Sequence, residues 1–207
     1  MLPNKRENKP RLTLALYSRP KHPGTYHYAL FVVPKSRFQD PATKTKNNIF
    51  SSLNSKSLPS PNIFKFHVKN TLMVEDGQVS SPWRFEGVDI DDLAKEGRLL
   101  VLVVVGKVLC GLDEAEKVMR ERVGVYQTWE GEEGKEFNCV TWVRDALSVL
   151  RKEGLINGME GGWGEMKQSA EEFVERKRKE RRWDGGWTGR EGVPYWGLMR
   201  GEEGVVL

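Results

Sequence analysis

Two spacings of apolar residues alternate along this chain, and each predicts a different kind of element. Residues 11–17 (RLTLALY) read as a first strand, closed by Arg19-Pro20 and a turn at Pro23-Gly24. Residues 26–33 (YHYALFVV) are aromatic and β-branched and stop at Pro34, which predicts a second strand. A two-residue period there puts His27 on the face of Ala29, Phe31 and Val33, which reads as buried. Residues 63–69 alternate cleanly, with Phe64, Phe66 and Val68 opposed to Lys65, His67 and Lys69 on a more polar face. The same alternation predicts that this strand runs on through Leu72 and Val74. Glu75-Asp76-Gly77-Gln78 is a hairpin-like turn, and Trp83-Arg84-Phe85-Glu86 a short strand. Residues 99–109 are apolar on both faces, as a central strand must be.

Helical spacing takes over further on. Residues 113–122 predict one helix. A second begins at Asn138-Cys139, where Cys139, Trp142, Val143, Ala146, Leu147 and Leu150 recur at threes and fours and form one apolar stripe. It should end near Gly154, a residue suited to the left-handed position after a helix. Residues 165–182 predict a third helix, with Glu172/Arg176 and Glu175/Lys179 at supportive spacing.

Between these elements the pattern lapses. Residues 36–61 are dominated by Lys, Asn, Ser and Pro, and are expected to form a long polar loop, disordered or acting as a lid. The expected organisation is a flexible start over 1–10, one domain over 11–160, and a charged helix with a Gly/Trp-rich tail over 161–207. With 207 residues, 38% hydrophobic and 30% charged, the chain is long enough for one domain with a substantial core.

Charge and cysteine count narrow the class. A formal net charge of +4 is too mild to identify a nucleic-acid binder. Two cysteines, Cys110 and Cys139, make neither a disulfide framework nor a metal-ligand pattern. The polar start lacks the apolar core of a signal peptide, and the apolar run at 99–105 is far too short to span a bilayer. An intracellular protein, cytoplasmic or nuclear, is expected.

The chemistry-bearing stretch is Asn138-Cys139. Asn138 is a favoured N-cap, and it would seat Cys139 in the first helical turn, where unpaired N–H groups and the helix dipole favour a thiolate and could hold an oxyanion. The competing reading makes Cys139 a small buried hydrophobe on the apolar stripe. A thiol nucleophile needs a base, and only His22, His27 and His67 are available. His22 lies in a turn and is assigned no role. Cys110 ends an apolar strand and reads as inert core. Trp83 and Trp142 could wall a groove, although aromatics in such elements more often simply pack.

Taken together, His27-Tyr28-Ala29-Leu30-Phe31-Val32 and Asn138-Cys139-Val140-Thr141-Trp142-Val143 resemble the two motifs of the circularly permuted papain-like proteins, most closely those of the lecithin retinol acyltransferase-like group. Histidine precedes cysteine, as in that group. The chain as a whole also resembles a family of uncharacterised fungal proteins, chiefly over residues 14–34, 67–71 and 138–147. The superfamily resemblance implies an α+β fold in which an antiparallel sheet packs against a cysteine-bearing helix. By position it implies Cys139 as nucleophile, His27 as base and His67 as the second histidine. Val140 and Thr141 depart from the acidic residue and histidine common after the cysteine there, and the C-terminal membrane helix of several members is missing.

The expected function is thiol hydrolysis or acyl transfer on an amide, ester or thioester, with no metal or organic cofactor required. The acyl substrate would be a peptide, lipid or small molecule. Two alternatives stand beside it: a catalytically inactive binding domain on the same scaffold, and a nucleic-acid module using the basic run at 176–182 with the Trp/Gly tail.

Overall fold

The computed structural model describes residues 9–39, 62–126, 137–158, 161–185 and 191–207. The strands are β1 (Arg11–Ser18), β2 (Tyr26–Val33), β3 (Phe38–Gln39), β4 (Ile63–Lys69), β5 (Met73–Glu75), β6 (Gln78–Ser80), β7 (Arg84–Ile90) and β8 (Leu99–Val108). Helices α1 (Leu112–Arg122) and α2 (Cys139–Lys152) follow, then β9 (Ile156–Asn157), α3 (Trp163–Lys179), β10 (Val193–Gly197) and β11 (Glu202–Val206). The architecture is α+β. One curled sheet runs β3-β11-β10-β8-β1-β2-β4-β7, with β9 beside β8, and every pairing is antiparallel except β10 with β8.

The sheet is organised around β8, which lies between β1 and β10. Its two faces serve two cores. Val101, Val103 and Val105 belong to the larger, with Leu12, Leu14, Leu16, Tyr28, Leu30 and Phe66. Leu102 and Val104 belong to the smaller, with Ala15, Ala29, Phe31, Val33 and Ile63. Helix α2 lays its apolar stripe on the larger core: Cys139, Trp142, Val143, Ala146, Leu147 and Leu150 are all buried. Burying each large apolar side chain contributes about 1.5–3 kcal/mol, so this stripe holds the helix in place. The helix then stops as expected. Gly154 takes φ +69°, and the N–H groups of Leu155 and Gly154 return to the carbonyls of Leu150 and Arg151, closing a Schellman motif.

Three expectations need correction. The strand over 63–69 does not run on through Leu72 and Val74. Asp76 (φ 50°) and Gly77 (φ 77°) close a tight local hairpin, so Val74 pairs with Val79 in a separate two-stranded unit. Residues 36–61 do not begin as a polar loop: Phe38–Gln39 is a strand on β11, and the remainder of that stretch, 40–61, lies outside the described residues, as do 1–8 of the flexible start. The C-terminal segment is part of the main sheet, since β10 pairs with β8 and α3 buries Met166, Ala170, Phe173 and Val174 in the larger core. The reason is shared apolar surface, which a tail of alternating Val193, Tyr195 and Val206 supplies.

The basic run is drawn into ion pairs with neighbouring acids. The expected Glu172/Arg176 and Glu175/Lys179 pairs do not carry the helix. Arg176 and Lys177 reach Glu203 on β11, and Arg176 also lies over the rings of Phe173 and Trp196. Arg178 pairs with Glu175, Arg181 with Asp184, and Arg182 with Glu191. Trp183 packs against the larger core, while Trp187 lies outside the described residues. No helix among the described residues is long and apolar enough to cross a membrane.

Candidate active site

The N-terminus of α2 is built as the local sequence predicts. Asn138 Oδ1 accepts from the N–H groups of Val140 (2.8 Å) and Thr141 (3.2 Å). Thr141 Oγ1 accepts in return from the Asn138 N–H at 3.0 Å, completing a capping box. Three of the four orphan donors of the helix start, the N–H groups of Asn138, Val140 and Thr141, are thereby used. The N–H of Cys139 itself is not among them.

Cys139 is buried beneath β2. Its Sγ accepts from the backbone N–H of Tyr28 at 3.5 Å, the amide immediately following His27. The thiol therefore rests on the backbone beside the candidate base. Burial pushes the thiol above its ordinary value. The Tyr28 N–H, the Arg19 charge and the N–H groups of Cys139 and Val140 pull it down without overcoming burial. The expected resting thiolate is thus corrected: at neutral pH the sulfur keeps its proton, because desolvation outweighs the helix terminus.

His27 belongs to the opposite face, as its alternation with Ala29 and Phe31 predicts. The pairing of β2 with β4 decides the position of His67. Leu30 opposes Phe66 and Phe31 opposes Lys65, so the more polar face of β4 is the face that carries His27. The two rings meet there, with His27 Nε2 and His67 Nδ1 3.2 Å apart. Next in line is a residue the sequence did not single out. His67 opposes Glu86 across β4 and β7, and His67 Nε2 lies 3.4 Å from Glu86 Oε2, while Lys69 Nζ holds the other carboxylate oxygen at 2.7 Å. Only knowledge of the strand pairing could have found Glu86.

This chain orients the imidazoles. A carboxylate only accepts, so His67 Nε2 carries the proton and His67 Nδ1 is the acceptor. His27 Nε2 must then be the donor. That assigns the lone pair of His27 to Nδ1. Burial, with His67 and the cations Arg19 and Lys65 adding to it, lowers His27 to about 4. Burial with Lys65 lowers His67 to about 4, against the pull of Glu86. Burial pushes Glu86 up, but Lys69 and His67 overcome it and leave the carboxyl below its ordinary value. Both histidines are neutral at pH 7. Behind them, Tyr17 sets its ring edge-on to His27 at 5.9 Å and donates its hydroxyl to Glu96, which also holds Lys65 at 2.9 Å.

His27 and Cys139 line one cavity of about 1,460 Å³ at the end of the sheet. Tyr28 contributes its ring and anchors its hydroxyl on Glu171 at 2.7 Å, with Lys167 on the same carboxylate at 2.8 Å. Trp83 is in the wall, but Trp142 is fully buried in the core and cannot touch a ligand, because it sits on the inward stripe of α2. His22 is exposed at the rim. Cys110, half-buried near the Leu155 carbonyl, does not line this cavity. Among the described residues, no group of three or more His, Cys, Asp or Glu is placed to hold a metal ion.

The chain belongs to a protein family of unknown function, DUF6914, whose model matches residues 9–205 and therefore nearly all of the sheet and the site. No curated protein and no solved structure matches the chain.

Proposed function

We propose that this family member is a thiol-dependent hydrolase or acyltransferase of permuted papain-like design, with Cys139 as nucleophile and His27 as base. The observation that carries the reading is the juxtaposition of two arrangements. Cys139 Sγ rests on the amide next to His27, and His27 Nε2 is engaged by His67 so that Nδ1 is the basic nitrogen. A nucleophile–base pair needs its two side chains to come within hydrogen-bond reach, with a third group orienting the base. Here His67 orients His27, and Cys139 reaches the strand at the next amide.

Cys139 lies on the helix-facing side of β2 and His27 on the other, with no hydrogen bond between them. In the reaction the proton passes from Cys139 to His27 Nδ1 round the strand end, through the cavity both line, as sulfur attacks the carbonyl carbon of an amide, ester or thioester. The Cys139 N–H donates to the developing oxyanion. The bond to the leaving group breaks, His27 returns the proton to that group, and a thioester on Cys139 remains. His27 then deprotonates water or an acceptor, which attacks the thioester and regenerates the thiol. Because the pair rests neutral, proton transfer accompanies attack. His67 acts as a positioning residue, and Glu86 holds its tautomer.

The depth of Cys139 favours a second reading, a binding domain that keeps this scaffold without chemistry: the residue is 5% exposed and burial disfavours its thiolate. One experiment separates the two. Parent and His27→Ala proteins, both carrying Cys110→Ser, are incubated with p-nitrophenyl esters and their intact masses followed. Acylation at Cys139 that depends on His27 supports the enzyme. A folded protein that stays unmodified points to the binding domain.

A further inference from the structure

The walls of the cavity divide by chemistry. One side is aromatic: Trp83 meets Phe137 edge-on at 5.5 Å, and Tyr126 meets the same ring at 5.6 Å. Phe137 precedes Asn138-Cys139, so this apolar wall ends at the nucleophile. The other side comes from the turn between β1 and β2 and from the approach to β8. The N–H of Ser18 donates to the Arg98 carbonyl at 2.8 Å, which ties the turn carrying Arg19 and Lys21 to the backbone of Arg98, and all three residues line the cavity.

The charges on the lining are unequal. Lys69 is matched by Glu86 and Lys167 by Glu171, the one carboxylate residue among the described residues of the wall. Arg19, Lys21 and Arg98 are exposed and form no ion pair among the described residues. Three cations that form no ion pair among the described residues therefore share the cavity with an aromatic wall, and Cys139 and His27 line it too. The volume exceeds what a small acid or inorganic ion fills, and suits an organic ligand of substantial length.

From this division we infer that the site takes an anionic amphiphile: an acyl compound whose apolar body lies on Trp83, Tyr126 and Phe137 and whose carboxylate or phosphate is held by Arg19 and Arg98, with Lys21 adding charge. Guanidinium groups suit both anions, since each offers paired N–H donors to two oxygens. The inference rests on the cavity being the substrate pocket proposed above, and it adds the substrate's charge. Arg19 lines the same cavity as Cys139 and His27, so an anion held by it shares that space with the reacting groups.

Protection of Cys139 from alkylation tests this without requiring turnover. In the Cys110→Ser protein, iodoacetamide labelling of Cys139 is timed with decanoate, decyl phosphate, neutral decanamide, acetate and inorganic phosphate, all below micelle-forming concentrations. The expected result is half-maximal protection by decanoate or decyl phosphate at concentrations about tenfold below that of decanamide, an advantage lost at high salt and in Arg19→Gln/Arg98→Gln. Whichever of the two anions protects better identifies the headgroup as carboxylate or phosphate. Equal protection by decanamide, equal protection by acetate or inorganic phosphate, no protection by any compound, or an advantage that survives the double substitution would each overturn the inference. Failure here is distinct from failure of the enzymatic reading. Ester acylation of Cys139 indifferent to substrate charge leaves the enzyme and removes the anion site, whereas protection without acylation keeps the anion site and removes the enzyme.

Discussion

The two faces of the sheet do different jobs with nearly the same backbone. On one, β1, β2, β4 and β8 present Leu, Val, Tyr and Phe to α2 and α3, and the interior is closed and apolar. On the other, a smaller apolar cluster gives way towards the cavity to His27, His67, Glu86, Lys65, Glu96 and Tyr17, a set of titratable groups satisfied mainly by one another. The thiol comes from the first face and the base from the second. They share a cavity only at the strand end, where Cys139 Sγ meets the Tyr28 amide. Apolar packing is non-directional and supplies stability. A polar network in a low-dielectric setting supplies orientation, and loses its value if one member is missing.

If the division holds, substitutions on the two faces should separate chemistry from stability. The largest effect is expected from His27→Ala, which should slow ester acylation of Cys139 by roughly 10²–10⁴-fold while the protein stays folded, as read by intact mass and circular dichroism. Acylation unchanged by this substitution would break the assignment of the base. Trp142→Ala, on the apolar face, should cost about 3–5 kcal/mol in denaturant unfolding, because it empties a fully buried site. Its loss of acylation should track only the unfolded fraction.

Acid sharpens the contrast further. His27 and His67 sit near 4 in the fold against 6.5 when unfolded. As pH falls below 6.5, the unfolded chain binds protons that the native state refuses. Stability should therefore fall between pH 6.5 and 4, by up to ~3 kcal/mol for each uncoupled histidine, and these groups should add no slope above that window. His67→Gln should flatten the profile, and a profile as steep as the parent's would show that the drop originates elsewhere. The smallest effect belongs to Glu86→Gln. An amide can still accept from His67, so acylation should slow by less than about tenfold, with folding intact. A loss as large as that of His27→Ala would mean that Glu86 does more than hold a tautomer.

Much of this was legible from local pattern. The boundaries of β2, the start of β4, the buried stripe of α2, the Asn138 cap, the turn at Asp76-Gly77 and the stop at Gly154 all follow from interactions within a few residues. Periodicity, capping and left-handed φ are local physics, so the sequence by itself determined these elements. It also determined which face of β2 carries His27, because a strand's side chains alternate whatever it pairs with.

The tertiary structure decided everything that depends on who lies opposite whom. Strand register put His67 on the face of His27 and brought up Glu86, and neither follows from one strand's composition. The insertion of β10 beside β8 made the C-terminal segment part of the main sheet, a pairing between residues about ninety positions apart. Burial reversed the expected charge state of Cys139, since a helix terminus favours the thiolate only while water can still reach it. The gathering of Arg19, Lys21 and Arg98 opposite Trp83, Tyr126 and Phe137 likewise exists only in three dimensions. Short-range chemistry is written along the chain; desolvation and convergence of distant side chains are properties of the assembled fold.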